Sequence, residues 1–166
     1  MKKLILALLL FTIPAQASEV AFSPHGGGES LVLKTIAGAN KSIYVAAYSF
    51  TSKPVTTALI DARARGVDIW LVADKSNLIG RGEKVSLLIK AGVPVHYQSC
   101  YHIFHHKFLV VDDIRVQAGS FNYSAAAAKS NAENVIVIDD KAIAGQYKAE
   151  WQRLWAESST TGECLR

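Results

Sequence analysis

A dense group of potentially reactive side chains lies in the second half of the chain. His105 and Lys107 stand two apart, Asp112 follows, and Gly119-Ser120 and Asn122 complete the pattern H-x-K-x4-D-x6-G-S-x-N. At average residue usage, six fixed positions occur by chance at a given starting residue on the order of once in ten million times or less. The pattern is therefore a strong signal of a specific chemistry.

The side chains in this pattern suit the cleavage of a phosphodiester. Because anionic oxygens shield the phosphorus, the attacking group should be neutral, and the imidazole of His105, with an ordinary pKa of about 6.5, is available for this role. We assign His105 as the nucleophile, which would form a covalent phosphohistidine. Lys107 supplies positive charge, Asn122 amide donors and Ser120 a hydroxyl to the non-bridging oxygens.

At these residues the chain resembles the phospholipase D superfamily, whose signature is H-x-K-x4-D followed by G-S/G-x-N. It is most similar to the short, exported bacterial endonucleases of that superfamily, and the similarity includes the runs at 47–52 and 64–67. The resemblance covers about the whole chain after the N-terminal leader. It implies a phosphodiester hydrolase.

The resemblance also implies roles for two carboxylates. Glu133, eleven residues past Asn122, stands where the similar nucleases carry an acid that fixes the tautomer of the catalytic imidazole. Asp112 has the wrong parity along a strand to share the face of His105. The family assigns Asp112 a supporting role in the architecture of the site, and we include it among the expected site residues.

One copy of the motif does not supply every group that the reaction needs. The displaced alkoxide must receive a proton from the side opposite the nucleophile, which requires a second acid. No other H-x-K occurs, since neither His96 nor His102 is followed by a lysine two residues later. Larger members of the superfamily carry two copies, so the resemblance implies a homodimer with one shared site and a His105 from each subunit.

His102, His105 and His106 also raise the question of a metal site. The carboxylates are scattered along the chain, and Lys107 would repel a cation bound at His105. We therefore expect neither a metal nor a cofactor.

The substrate class is the least constrained prediction, because the same residues would cleave a phospholipid headgroup. No lipid-docking loop or amphipathic membrane helix is evident after the leader, and nothing resembles a base-reading element. We predict a non-specific, metal-independent endonuclease that acts on DNA or RNA without stable membrane association. The alternative is a lipid phosphodiesterase of the phospholipase D type. A third candidate, a non-catalytic nucleic-acid-binding module, would predict a broken motif.

The elements that must position these residues alternate between strands and helices. Short apolar runs predict strands, and stretches with one apolar face predict helices. The first half reads β-α-β-α-β, which implies parallel strands with helices on the faces, and Asp112-Asp113 reads as a tight connection. We predict an α-β-α sandwich with a mixed, largely parallel sheet, built from strands 42–48, 67–73, 93–97, 108–111, 114–118 and 134–138 and helices 29–39, 55–64, 83–91 and 142–157.

The chain has 166 residues, of which 50% are hydrophobic and 19% charged, as is typical of one globular domain. Lys2 and Lys3, the apolar run 4–13 and the small residues at 14–17 predict a signal peptide cleaved after Ala17, and hence a periplasmic or secreted protein. Residues 18–166 would then form the nuclease domain. Cleavage removes two lysines and no acidic residue, so the net charge falls from +4 to +2 and is weak evidence for a nucleic-acid partner.

Cys100 and Cys164 are the only cysteines of the chain. In an oxidising compartment such a pair favours a disulfide, which would hold the C-terminal tail near the histidine-rich segment. Two unpaired thiols are the alternative. On the chain-entropy model, the bridge would stabilise the fold by about 4 kcal/mol.

Overall fold

A seven-stranded sheet runs through residues 18–166, the part of the chain that this computed structural model describes. The predicted signal peptide, residues 1–17, lies outside the described residues. Across the sheet the order is β1 (Ser18–Ser23), β7 (Glu133–Asp139), β6 (Arg115–Gly119), β5 (Lys107–Val111), β2 (Ser42–Ala47), β3 (Asp68–Asp74) and β4 (Val95–Gln98).

Helices cover both faces of the sheet, which confirms the predicted α-β-α sandwich. One face carries α1 (Gly28–Ala37), α2 (Lys53–Ala64), α3 (Val85–Lys90) and α4 (Ala125–Lys129), and the other carries α5 (Lys141–Glu157). The strands alternate their side chains between two hydrophobic cores, so that Val45 packs beneath the first group of helices and Ala46 beneath α5. A short 3-10 helix, Lys75–Leu78, follows β3.

The sheet is mixed, as predicted, but it is not largely parallel. Only β2, β3 and β4 pair in parallel, through the crossover helices that the sequence indicates, and the other four pairings are antiparallel. The reason lies in the connections: β5 and β6 are joined by the tight turn at Asp112 and Asp113, both with positive φ, and so short a connection cannot join parallel strands.

Local sequence signals explain where the two long helices begin. The hydroxyl of Ser52 accepts a hydrogen bond from the Val55 N–H at the start of α2, and the Asp140 carboxylate accepts from the Ala142 and Ile143 N–H groups at the start of α5. Trp151 of α5 is buried, and its indole N–H donates to the Val45 carbonyl at 2.8 Å. This bond ties α5 to a central strand.

The C-terminal tail is joined to the segment that leads into β5. Cys100 and Cys164 form a disulfide across 64 residues of sequence. The bond holds the tail close to the residues that precede His105. None of the helices described in residues 18–166 is both long enough and apolar enough to cross a membrane.

Candidate active site

Three strand ends meet at one edge of the sheet, and they bring most of the predicted site residues together. Because β5 and β6 are antiparallel, the residues that enter β5 lie beside those that leave β6. The start of β7 reaches the same edge, since Gly119 pairs with Val135. A cleft of about 380 Å³ opens here, lined by His105, Lys107, Gly119, Ser120, Asn122 and Glu133.

His105 is exposed and borders the cleft just before β5 begins. Its ring lies 4.7 Å from that of Tyr48, centroid to centroid, and the two planes are tilted by 51°. Tyr48 follows directly after β2, the neighbour of β5, so the sheet itself places this aromatic ring against the histidine. The sequence motif did not predict Tyr48 as a site residue. Its position at the end of a predicted strand is the feature that could have indicated it.

Lys107 is the buried cation of the cleft, with 6% of its surface exposed. Its ammonium donates to the His105 carbonyl at 2.7 Å and lies 5.2 Å from the centroid of the Tyr48 ring. Burial lowers the pKa of Lys107, and the nearby Glu133 carboxylate opposes that shift. Within residues 18–166 Lys107 forms no ion pair, so its charge is available to an anion in the cleft.

Asn122 adds an amide to the same cleft. Its Oδ1 atom is buried and has no hydrogen-bond partner among the described residues. Buried polar atoms are rarely left in this state unless a ligand or water completes them. Because Oδ1 only accepts hydrogen bonds, a water or a substrate hydroxyl can complete it, whereas an anionic oxygen would have to bind the Nδ2 group.

Gly119 allows the chain to pass close to β7 before it reaches Ser120 and Asn122. Its φ is +145°, and an added Cβ would lie 2.2 Å from the Asn134 carbonyl oxygen. A side chain would therefore push the two strands apart. The glycine of the motif is required by this close approach.

The hydroxyl of Ser120 and the carboxylate of Glu133 are bonded to each other. Ser120 donates to Glu133, whose second oxygen accepts from the Asn131 amide at 3.0 Å. The Ser120 oxygen in turn accepts from the Asn134 N–H at 3.1 Å. Sequence reasoning placed Glu133 against the ring of His105 and the Ser120 proton against the substrate. In this structure both groups belong to a network along the wall of the cleft, and no hydrogen bond joins Glu133 to His105; the catalytic roles of the two residues stay predictions.

Asp112 is the one predicted site residue that lies away from the cleft. It follows the last residue of β5, at the opposite end from His105. Its carboxylate accepts hydrogen bonds from the backbone N–H groups of Asn40, Lys41 and Ser42, at 2.9, 2.7 and 2.9 Å. Burial alone would raise the pKa of Asp112, but these bonds bring it below its ordinary value. The residue fixes the start of β2 against the end of β5.

The arrangement can bind and attack an anionic tetrahedral group. The cleft offers a buried ammonium and an exposed imidazole at the start of β5 and an amide just after β6. Within residues 18–166, no three His, Cys, Asp or Glu side chains are grouped so that they could hold a metal ion.

Comparisons with known proteins match nearly all of the described chain. The family model described as "Cardiolipin synthase, PLD-like domain" matches residues 32–155. A phospholipase D from Rickettsia conorii is 40% identical over 130 residues, which are 78% of this chain and 65% of that relative. The match thus spans slightly less than two thirds of the length of such relatives. A mitochondrial cardiolipin hydrolase from Xenopus laevis is 31% identical over 90% of this chain and 76% of its own length.

Solved structures share the fold. Nuc from Salmonella typhimurium, described as a phospholipase D family member, superimposes with a TM-score of 0.83 at 35% identity, covering 86% of this chain and 96% of Nuc. NucT from Helicobacter pylori gives a TM-score of 0.80 at 21% identity, covering 89% of this chain and 99% of that protein. This second likeness concerns the fold alone.

Proposed function

Because the chain belongs to the phospholipase D superfamily, we propose that it is a phosphodiesterase that acts as a non-specific endonuclease on DNA or RNA, without a metal ion, at a site shared by two copies. The observation that carries the proposal is the cleft itself. It collects the nucleophile candidate His105, the buried cation Lys107 and the amide of Asn122, whose Nδ2 group is a hydrogen-bond donor.

The first step of the proposed reaction forms a phosphohistidine. A ring nitrogen of His105 attacks phosphorus, and the bond from phosphorus to the leaving oxygen breaks. Lys107 and Asn122 receive the charge that builds on the non-bridging oxygens. Glu133 lines the same cleft, from which its carboxylate would stabilise the positive charge on the phosphorylated ring.

Both steps require a partner. As the bond to the leaving oxygen breaks in the first step, the protonated His105 of a second copy gives its proton to that oxygen, and in the second step the same imidazole, now neutral, removes a proton from water. That water attacks phosphorus, the phosphorus–nitrogen bond breaks, and both imidazoles return to their starting states. The chain carries one H-x-K motif, and His105 is exposed at the rim of the cleft, so a second copy related by a two-fold axis can approach it.

The polar character of the cleft supports nucleic acid as the substrate. Its lining consists of a basic group, an imidazole, an amide, a hydroxyl, a carboxylate and a glycine. These groups suit a phosphate joined to polar sugars. The backbone phosphates of DNA and RNA offer the same target at every step along the strand, so the site needs no base-reading element to act as an endonuclease.

The experiment that tests this function compares three substrates in excess EDTA. Purified protein is incubated with supercoiled plasmid, with single-stranded RNA, and with vesicles of phosphatidylcholine and cardiolipin. We expect nicked and linear DNA or shortened RNA, and no such products with His105→Ala. If nucleic acid stays intact in every sample, or is cut only after a divalent metal is added, the proposed function is wrong.

A second candidate, a lipid phosphodiesterase, is favoured by one specific observation. Ile79 is 94% exposed and Ile103 46% exposed, and both line a cavity that also contains Tyr48, the neighbour of His105. Apolar side chains beside a phosphodiester site could enter the interface of a membrane. Headgroup release from the vesicles, with intact nucleic acid, would establish this function instead.

We also propose that residues 1–17 direct export and are removed after Ala17, leaving residues 18–166 as one nuclease domain in the periplasm or outside the cell. The disulfide between Cys100 and Cys164 supports an oxidising compartment. Mass spectrometry of the protein from a cell fraction measures the N-terminus directly. A mature chain that begins at Ser18 is the expected result.

A further inference from the structure

The cleft that contains His105 continues into two further cavities that the proposed mechanism does not use. A small one, of about 170 Å³, shares His105, Lys107 and Gly119 with the cleft and adds His106, Phe108, Ala118 and Tyr147. The next, of about 280 Å³, shares His106, Phe108 and Tyr147 with the small one and adds Gln146 and Glu150. Each cavity shares lining residues with its neighbour, so the three adjoin one another around the start of β5, and we refer to them together as the groove.

The far end of this groove, which we call the aromatic pocket, is lined by His106, Phe108, Gln146, Tyr147 and Glu150. The Phe108 ring lies 5.0 Å from that of Tyr147 and 5.6 Å from that of His106, both in edge-to-face contacts. Burial lowers the pKa of His106, which favours its neutral form. Phe108 is buried, so the aromatic surface that the pocket presents comes from the half-buried Tyr147 and the exposed His106.

Two polar groups in the aromatic pocket are free to bind a ligand. Tyr147 is half-buried and Gln146 is exposed. Among the hydrogen bonds of residues 18–166, none engages the Tyr147 hydroxyl or the Gln146 side-chain amide. A flat ligand that stacks on the aromatic rings would find a donor and an acceptor at its edge.

The charge in the aromatic pocket is already neutralised. Both oxygens of Glu150 accept hydrogen bonds from Arg153, at 2.9 and 2.7 Å. With its carboxylate paired, the pocket has no free negative charge to add to the attraction of its aromatic rings for a quaternary ammonium headgroup. The pairing favours a neutral, planar ligand with hydrogen-bonding edges.

We propose that the aromatic pocket is a subsite for an unpaired nucleobase adjacent to the phosphate that is cleaved. The inference rests on the proposed nuclease function and deepens it: the preferred substrate is single-stranded nucleic acid, since a base held in a duplex cannot leave its stack without cost. Aromatic stacking tolerates every base, so the subsite raises activity without giving sequence preference.

Small chromogenic diesters separate this subsite from the catalytic step. The substrates are thymidine 3′- and 5′-(p-nitrophenyl phosphate), methyl p-nitrophenyl phosphate, which lacks a base, and p-nitrophenylphosphocholine. The release of p-nitrophenolate gives kcat/KM for each. We expect the wild type to prefer at least one thymidine ester over the methyl ester, and Tyr147→Leu to reduce that preference about tenfold by removing the stacking surface while still packing on Phe108.

Three further variants sharpen the test. Tyr147→Phe should keep the preference, because it keeps the ring, and Gln146→Ala should reduce it by a smaller factor. Gln152→Ala changes an exposed glutamine elsewhere on α5 and should leave the preference unchanged. The thermal unfolding midpoint of each variant reports whether the fold is intact.

The outcomes distinguish failure of the subsite from failure of the proposed function. If the wild type cleaves none of the diesters in EDTA, the phosphodiesterase assignment itself is wrong. If the diesters are cleaved but the preference for thymidine esters is absent, or is equal in wild type and Tyr147→Leu, the nucleobase subsite is wrong. A preference for the phosphocholine ester that Tyr147→Leu abolishes would make the pocket a headgroup site and overturn the proposal.

Discussion

Strand β5 joins two regions that belong to one sequence motif and differ in almost every physical respect. Where it begins, His105 is exposed at the cleft, and Lys107 is buried there without an ion-pair partner. After its last residue, the Asp112 carboxylate accepts three backbone hydrogen bonds from the loop that leads into β2. Four residues separate Lys107 from Asp112, so the two regions differ across the length of a single short strand.

The difference shows how a motif can combine chemistry with architecture. At the cleft end, hydrogen-bonding capacity is left unused: the Asn122 Oδ1 atom has no partner within the described residues. At the Asp112 end, the carboxylate is saturated. Unused polar groups are costly to a fold and mark places where a ligand completes them, whereas saturated ones stabilise. Substitutions at the two ends should therefore affect different measurements.

The largest expected effect is the loss of activity in His105→Ala. Without the imidazole no phosphohistidine forms, so kcat/KM on single-stranded DNA in EDTA should fall by at least about 10³-fold, while the unfolding midpoint stays near that of wild type. His102→Ala, which removes an exposed histidine three residues earlier, is the matched control and should retain activity. Normal turnover by His105→Ala would show that the cleft end of β5 is not the catalytic end.

A mixed dimer tests whether one chain alone supplies all the catalytic groups of the cleft. Two differently tagged chains, one wild type and one His105→Ala, are co-expressed and the mixed dimer is isolated through both tags. It retains one imidazole and cannot both attack and protonate efficiently, so its activity should fall about 10² to 10⁴-fold below that of a doubly tagged wild-type dimer. Half of the wild-type activity would indicate two independent sites.

The sequence predicted the cleft better than it predicted the sheet around it. Five of the six expected site residues line one cavity, because motif spacing records which strand ends must meet. The parallel part of the sheet also followed from its crossover helices. The tight connection predicted at Asp112-Asp113 agrees with the antiparallel pairing of β5 and β6, but the pairings of β1 with β7, β6 with β7 and β2 with β5 did not follow, because no local pattern marks which distant strands become neighbours.

Three features escaped the sequence because they depend on tertiary contacts. Strand β1 has an irregular apolar pattern and was not predicted; it is held by its pairing with β7. Tyr48 contacts His105 only because β2 and β5 are neighbours. The bond between Ser120 and Glu133 spans 13 residues and joins two strands whose pairing was not predicted, so the sequence did not indicate it.

We expect the disulfide near the cleft end to stabilise the fold, as the hydrogen bonds of Asp112 do at the other end of β5. Cys100 precedes His105 by five residues and is bonded to Cys164. Replacing both cysteines with serine should lower the free energy of unfolding by about 4 kcal/mol on the chain-entropy model. Urea unfolding measures this change. Thiol labelling of unreduced, denatured protein should find no free thiol, and two labelled cysteines per chain would contradict the bridge.

The Asp112 end should respond through stability, by a smaller amount. Asp112→Ala leaves three backbone N–H groups without their acceptor and places alanine at a φ of +53°, where aspartate is better tolerated. We expect a loss of about 2 kcal/mol in the free energy of unfolding. Below the unfolding transition, kcat should stay within a few-fold of wild type. Asp61→Ala, which removes an exposed carboxylate from α2, is the matched control.

The smallest expected effect is the acid dependence that Asp112 gives to stability. Its pKa is lower in the folded chain than its ordinary value, so the unfolded chain takes up this proton at a higher pH than the folded chain does. The contribution of the Asp112 carboxylate to the free energy of unfolding is fully present above the ordinary pKa of about 4. It is lost as the pH falls through the lowered pKa of the folded chain. Urea unfolding at several pH values between 7 and 3 should therefore show a shallower loss of stability for Asp112→Asn than for wild type, because asparagine does not titrate. Parallel curves for the two proteins would mean that the Asp112 carboxylate is no better stabilised in the folded chain than in the unfolded one, and that the two ends of β5 differ less than their hydrogen bonds indicate.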